Sequence, residues 1–195
     1  MNSGKFRHLL QHIYRARGIA RRYFITNGFD GALTMLGLLA GFYTSNTVPL
    51  SVAVSACLGA AIALFMSGVS SAYLSESAER KKELQELEQA VLTDLEDSDF
   101  GDASRYVPVV VALVNGLSPL LLSLVIISPL YFAQHGVVLT FSPFAVAIVL
   151  ALAVIFLLGI FLGRVSRTFW FWSGLRALAV ALVTLMIILF FSSSR

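Results

Sequence analysis

From Gly31 to Leu74, and again from Tyr106 to Gly163, the chain carries no charged side chain. A transmembrane helix needs about 20 predominantly apolar residues. Each tract is therefore too long for one crossing of a bilayer and suits two. Composition agrees, because 57% of the residues are hydrophobic and 13% charged, against roughly 25% charged in soluble domains. These features describe an all-α integral membrane protein. The single cysteine, Cys57, excludes an internal disulfide and any cysteine-based metal cluster within one chain. The first 23 residues are basic and amphipathic rather than a short apolar core with a cleavage site, so no signal peptide is expected.

The turn-like cluster Tyr43–Pro49 divides the first tract, and Gln134–Pro143 divides the second. The expected spans are Phe24–Tyr43, Leu50–Tyr73, Val107–Ala133, Phe144–Gly163 and Phe169–Phe191. A five-span membrane domain over 24–195 places the termini on opposite sides. Of the 14 basic residues, Lys5, Arg7, Arg15, Arg17, Arg21, Arg22, Arg80, Lys81, Lys82, Arg105, Arg164 and Arg167 all fall on one side of this arrangement. By the positive-inside rule that side is cytoplasmic, so the N-terminus is inside and the C-terminus outside. Residues 1–23 read as an amphipathic helix in the cytoplasmic headgroup layer, with Phe6, Leu9, Leu10, Ile13 and Ala20 near helical spacing among arginines. His8 and His12 have the spacing to share a metal, but the interfacial helix accounts for them without one. Short termini favour a prokaryotic cell membrane.

The second span is expected to continue beyond the bilayer. Residues 75–105 form an acidic helical insert on the cytoplasmic side, with strong helix formers from Ser75 to Glu96 and an end at Asp97–Gly101. Glu76, Glu79, Glu83 and Glu86 share an arc of about 80°, so they can offer oxygen ligands to a divalent cation. The same spacing also gives ordinary salt bridges, Glu76 with Arg80, Glu79 with Lys82 and Lys82 with Glu86. Leu84, Leu87, Val91 and Leu95 form a neighbouring apolar stripe suited to a partner.

Asp30 is the only carboxylate within the five expected spans. An Asp at the centre of a membrane helix costs roughly 2.5 to 3.5 kcal/mol, and such residues commonly mark ion or proton pathways. At 1.5 Å per residue, Asp30 lies about 12 Å beyond Arg22, Met66 about 15 Å from Glu76, and Asn115 about 15 Å beyond Arg105. A carboxylate, a thioether and an amide thus reach a similar depth on three helices. A carboxylate with a soft sulfur suits a borderline transition metal better than Mg²⁺ or Ca²⁺. Taken singly, Met66 also reads as apolar filler and Asn115 as a helix–helix hydrogen bond. Small residues on the first two spans (Gly31, Gly37, Ala40, Gly41, Ser55, Gly59, Ala60, Ala63) favour close helix approach and self-association.

At these residues the chain resembles the vacuolar iron transporter (VIT) family of Fe²⁺/Mn²⁺ exporters. The resemblance spans most of the chain. It rests on Asp30-Gly31, on Met66 to Ser75 leading into an acidic helix, on Pro108 with Pro119 to Leu121, and on SGLRAL from Ser173 to Leu178. It implies a homodimer exchanging divalent metal for protons. Asp30 and Met66 would lie on the translocation path, and Glu76, Glu79, Glu83 and Glu86 would correspond to a cytoplasmic gathering site. The insert is shorter than the three-helix module of plant members, and Gly68 stands where some members carry a Glu.

The function expected is export of Fe²⁺ or Mn²⁺ from the cytoplasm, with Asp30, Met66 and Asn115 on the path. Divalent cations, protons, lipid and a second copy of the chain are the expected partners; no cofactor and no nucleic acid are. The alternative is a membrane scaffold that binds a partner through Leu84, Leu87, Val91 and Leu95. Enzymatic activity is not expected, since no HExxH, GxSxG or nucleophile–base pair occurs.

Overall fold

Long apolar tracts broken at two polar turns give five helices: α1 (Ser3–Ser45), α2 (Leu50–Val91), α3 (Asp99–Gln134), α4 (Pro143–Val165) and α5 (Trp170–Ser193). The computed structural model describes residues 3–45, 47–96, 98–138 and 140–193, with side chains from residue 18 onward except those of 99, 192 and 193. No strand occurs among the described residues. Helices α2 to α5 are each long and apolar enough to cross a membrane, which makes this a multi-pass membrane protein. Helix α1 is not among those four; Thr26, Asn27, Gly28 and Asp30 dilute its apolar stretch. No break separates the basic N-terminal segment from the first expected span. The amphipathic face, with His8 and His12, lies outside the described side chains.

The acidic insert departs from expectation in its boundaries. Helix α2 runs on past Tyr73 but stops at Val91, short of Glu96. Leu92 takes a left-handed conformation with φ 53, and the Thr93 N–H returns to the Glu88 carbonyl at 3.4 Å. That is a Schellman closure built on leucine instead of glycine. The Glu88 side chain accepts from the Leu95 N–H at 3.0 Å. The DSDFG sequence then begins a helix rather than only ending one. Ser98 Oγ accepts from the Phe100 N–H at 3.2 Å and the Gly101 N–H at 3.4 Å, an N-cap for α3. Similar closures end α3 at Gly136 (φ 88) and α4 at Arg167 (φ 54), where Val137 N–H reaches Phe132 O and Thr168 N–H reaches Gly163 O.

The chain divides into two compact units. The first comprises the chain up to Phe24 and Phe65–Leu117. Its interior holds Ala72, Glu76, Val111, Ala112 and Asn115. Gly68 and Gly116 bring α2 and α3 together: a Cβ on Gly116 would stand 2.7 Å from the Phe65 carbonyl oxygen, and one on Gly68 would stand 3.0 Å from Gly116 Cα. Small residues at membrane helix crossings allow this proximity.

The second unit comprises Ile25–Leu64 and the chain from Ser118 onward. Its core includes Met35, Leu36 and Leu39 of α1, Ala53, Cys57 and Ala61 of α2, Ile126 and Leu130 of α3, and Ala151 and Ile155 of α4. Helices α4 and α5 form a close hairpin. A Cβ on Gly159 would meet Gly174 Cα at 2.8 Å, and one on Gly163 would meet Trp170 Cα at 2.9 Å. The rest of α5 is largely uncovered, with Val180, Val183, Met186, Ile187 and Phe190 all more than half exposed. Such a surface suits lipid.

Candidate functional site

The orientation of Asp30 follows from its glycine neighbours. Gly28 faces Ser118 and Leu122 of α3, and Gly31 faces Pro119; a Cβ on Gly31 would lie 2.7 Å from Pro119 Cα. Ile25, Ala32 and Met35 are buried on the same side of α1. At about 100° per residue, that seating turns Arg22, Thr26 and Asp30 to the exposed side, one helical turn apart. Thr34 follows in the same row, and its hydroxyl donates to the Asp30 carbonyl oxygen at 2.6 Å. A polar row thus runs along the uncovered face of α1. Among the described residues the Asp30 carboxylate has no ion-pair partner.

Met66 and Asn115, both in the first unit, occupy opposite sides of α2. Met66 is 54% exposed and belongs to an open face with Ile62, Ala63, Ser67 and Ser70. Asn115 is buried, and its Nδ2 donates to the Gly68 carbonyl at 2.7 Å across the α2–α3 crossing. Pro119 supplies no N–H for the Asn115 carbonyl one turn earlier. The amide thus ties two helices together, and the sulfur points elsewhere.

The four glutamates also divide. Glu76 is 8% exposed and enclosed; Glu79, Glu83 and Glu86 are exposed. The Tyr23 hydroxyl donates to Glu76 Oε1 at 3.3 Å from α1. Arg80 Nη2 lies 3.5 Å from Glu76 Oε2, and Arg80 Nη1 lies 2.6 Å from Glu83 Oε2. Lys82 and Glu86 form a separate exposed pair at 3.8 Å, of the kind worth about 0 to 1 kcal/mol in water. Among the described residues no group of three or more His, Cys, Asp or Glu side chains is close enough to hold a metal ion. Tyr23 was not legible as a site residue, since nothing in its local sequence signals a carboxylate 53 positions away. The small residues expected to drive self-association divide as well: Gly31 and Ala40 are buried within the chain, whereas Ser55, Gly59 and Ala63 of α2 are exposed.

No family model matches the chain, and no solved structure matches it. The chain is similar to the uncharacterized protein MJ0645 of Methanocaldococcus jannaschii, with 29% identity over 173 residues covering 85% of this chain and 87% of that protein.

Proposed function

We propose that the protein is a divalent transition-metal transporter, a homodimer that moves Fe²⁺ or Mn²⁺ out of the cytoplasm in exchange for protons. The observation that carries this reading is the Asp30 carboxylate on the open face of α1, with no ion-pair partner among the described residues. Facing hydrocarbon, it would cost roughly 2.5 to 3.5 kcal/mol. A second copy covering that face removes it from lipid and encloses a polar row between protomers. The lower half of α1 then serves as a fifth span, and the basic residues keep the N-terminus and the polar end of α2 in the cytoplasm of a prokaryotic cell.

In this mechanism Asp30 binds the cation and a proton alternately. Met66, 54% exposed, supplies a soft donor that favours a borderline ion such as Fe²⁺ over Mg²⁺ and Ca²⁺. Asn115 acts by fixing the α2–α3 crossing. The glutamates at the polar end of α2 raise the local cation concentration. The motifs that resemble the VIT family support the same reading. The test is Mn²⁺ movement into proteoliposomes driven by an imposed proton gradient. Uptake that collapses with the gradient is expected; no uptake above empty liposomes refutes the proposal.

One observation favours a second reading. Leu87 and Val91 are 37% and 53% exposed at the polar end of α2, where an apolar stripe would serve a scaffold that binds a partner helix. Leu87→Asp should then abolish function while Glu79→Gln and Glu83→Gln leave it intact.

A further inference from the structure

Glu76 is the one buried charged side chain among the described residues, 8% exposed, yet its ion pair is incomplete. Neither Glu76 Oε2 nor Arg80 Nε has a hydrogen-bond partner. The guanidinium is drawn instead toward Glu83, at 2.6 Å against 3.5 Å for Glu76. One monovalent cation is therefore divided between two carboxylates on one face of α2, and the three groups together keep a net negative charge. The Tyr23 hydroxyl donates to the other oxygen of Glu76 from α1 at 3.3 Å, so this carboxylate has a second anchor and the more exposed arginine has none on another helix among the described residues. The Arg80 side chain is 20% exposed, and its long apolar stem allows the head group to swing out to water or lipid phosphate.

We propose that Arg80 is a resident counter-ion that an incoming divalent cation displaces from Glu76 and Glu83. This rests on the transport reading and adds the means by which the entry site is kept closed without cargo. A buried carboxylate left without its partner is strongly destabilising, so the site needs a cation at all times. Arginine supplies one that is always charged and has no acceptor for metal. A divalent ion carries twice its charge and prefers carboxylate oxygen, so it can evict the guanidinium where K⁺ or Na⁺ cannot. Arg80 thereby selects for charge before the cation reaches the membrane.

The experiment uses the purified full-length protein and follows phenylglyoxal modification of Arg80 by peptide mass spectrometry, with Mn²⁺ as the probe and K⁺ at equal ionic strength as the control. Mn²⁺ is expected to accelerate modification several-fold and K⁺ to leave it unchanged. In the double variant Glu76→Gln, Glu83→Gln, Arg80 should react quickly with or without Mn²⁺. Arg80→Gln should bind Mn²⁺ about tenfold more tightly than the unmodified protein, a difference of about 1.4 kcal/mol. A modification rate indifferent to saturating Mn²⁺, or equal or weaker binding by Arg80→Gln, overturns the proposal. Asp30→Asn should keep the Arg80 response. Asp30-dependent flux without that response would refute the counter-ion role alone, and the response without flux would refute transport alone.

Discussion

Gly31 and Pro119 approach so closely that a β-carbon on Gly31 would stand 2.7 Å from the proline Cα and 3.0 Å from its carbonyl oxygen. Backbone faces backbone here, and no side chain can swing aside. The contact sets the rotation of α1 and so decides that Asp30, the preceding residue, is turned outward.

Replacing Gly31 therefore tests the orientation of the whole helix. Gly31→Ala should destabilise the protein by about 1 to 3 kcal/mol, the usual penalty for overpacking. Gly41→Ala adds a methyl with nothing within 4 Å and should stabilise by about 0.5 to 1 kcal/mol through helix propensity. Thermal unfolding in detergent measures both. Equal effects from the two would mean that Gly31 does not seat α1.

The left-handed residue at the end of α2 gives a stability gain. Leu92 holds φ 53 and is 90% exposed, so its side chain contributes little burial while its Cβ strains the backbone. Leu92→Gly should stabilise by roughly 1 to 2 kcal/mol, the steric penalty of that conformation for an L-residue. A lower unfolding temperature for Leu92→Gly would contradict the closure described for this turn.

Removing the amide of Asn115 should loosen the α2–α3 crossing. In the bilayer such interhelical hydrogen bonds average about 0.6 kcal/mol and reach about 1.7. Asn115→Ala is expected to lose an amount in that range or slightly above, since burial of the side chain goes too. Folding titrations in mixed micelles can resolve it, and an unchanged midpoint would show the bond to Gly68 to be without weight.

If two copies meet along the open face of α1 that carries Asp30, cysteines placed there should cross-link. In a Cys57→Ala background, Thr26→Cys and Thr34→Cys should form disulfide-linked dimers in native membranes, and Val183→Cys on α5 should not. Cross-linking of all three alike would indicate random collision in the membrane and remove the support for a specific dimer.

The helices were legible because nothing but membrane-length apolar runs can follow from tracts without a charge. Their breaks at Tyr43–Pro49 and Gln134–Pro143 lie where proline and small polar residues make continuation costly. The turn after Val91 is not legible in the same way. Leucine rarely takes a left-handed conformation, so Leu92 gives no sequence signal, and the Ser98 cap lies within a stretch that resembles a linker. Of the candidate site, Asp30 announced itself by its cost, and the pairs Glu76–Arg80 and Lys82–Glu86 by their spacing. The closer pair of Arg80 with Glu83 was not expected, and the expected Glu79–Lys82 pair is not among those formed by the described residues. The rotation of α1 was hidden, because it depends on a glycine meeting a proline from another helix. The hold of Tyr23 on Glu76 was hidden for the same reason, since a tertiary contact leaves no local periodicity.

The most direct test of the account is proton-gradient-driven Mn²⁺ flux in proteoliposomes containing the unmodified protein, Asp30→Asn or Asp30→Glu. Asp30→Asn is expected to reduce flux to the level of empty liposomes while the protein remains folded, and Asp30→Glu to retain part of it. Flux undiminished in Asp30→Asn would contradict the claim that a cation passes beside this carboxylate.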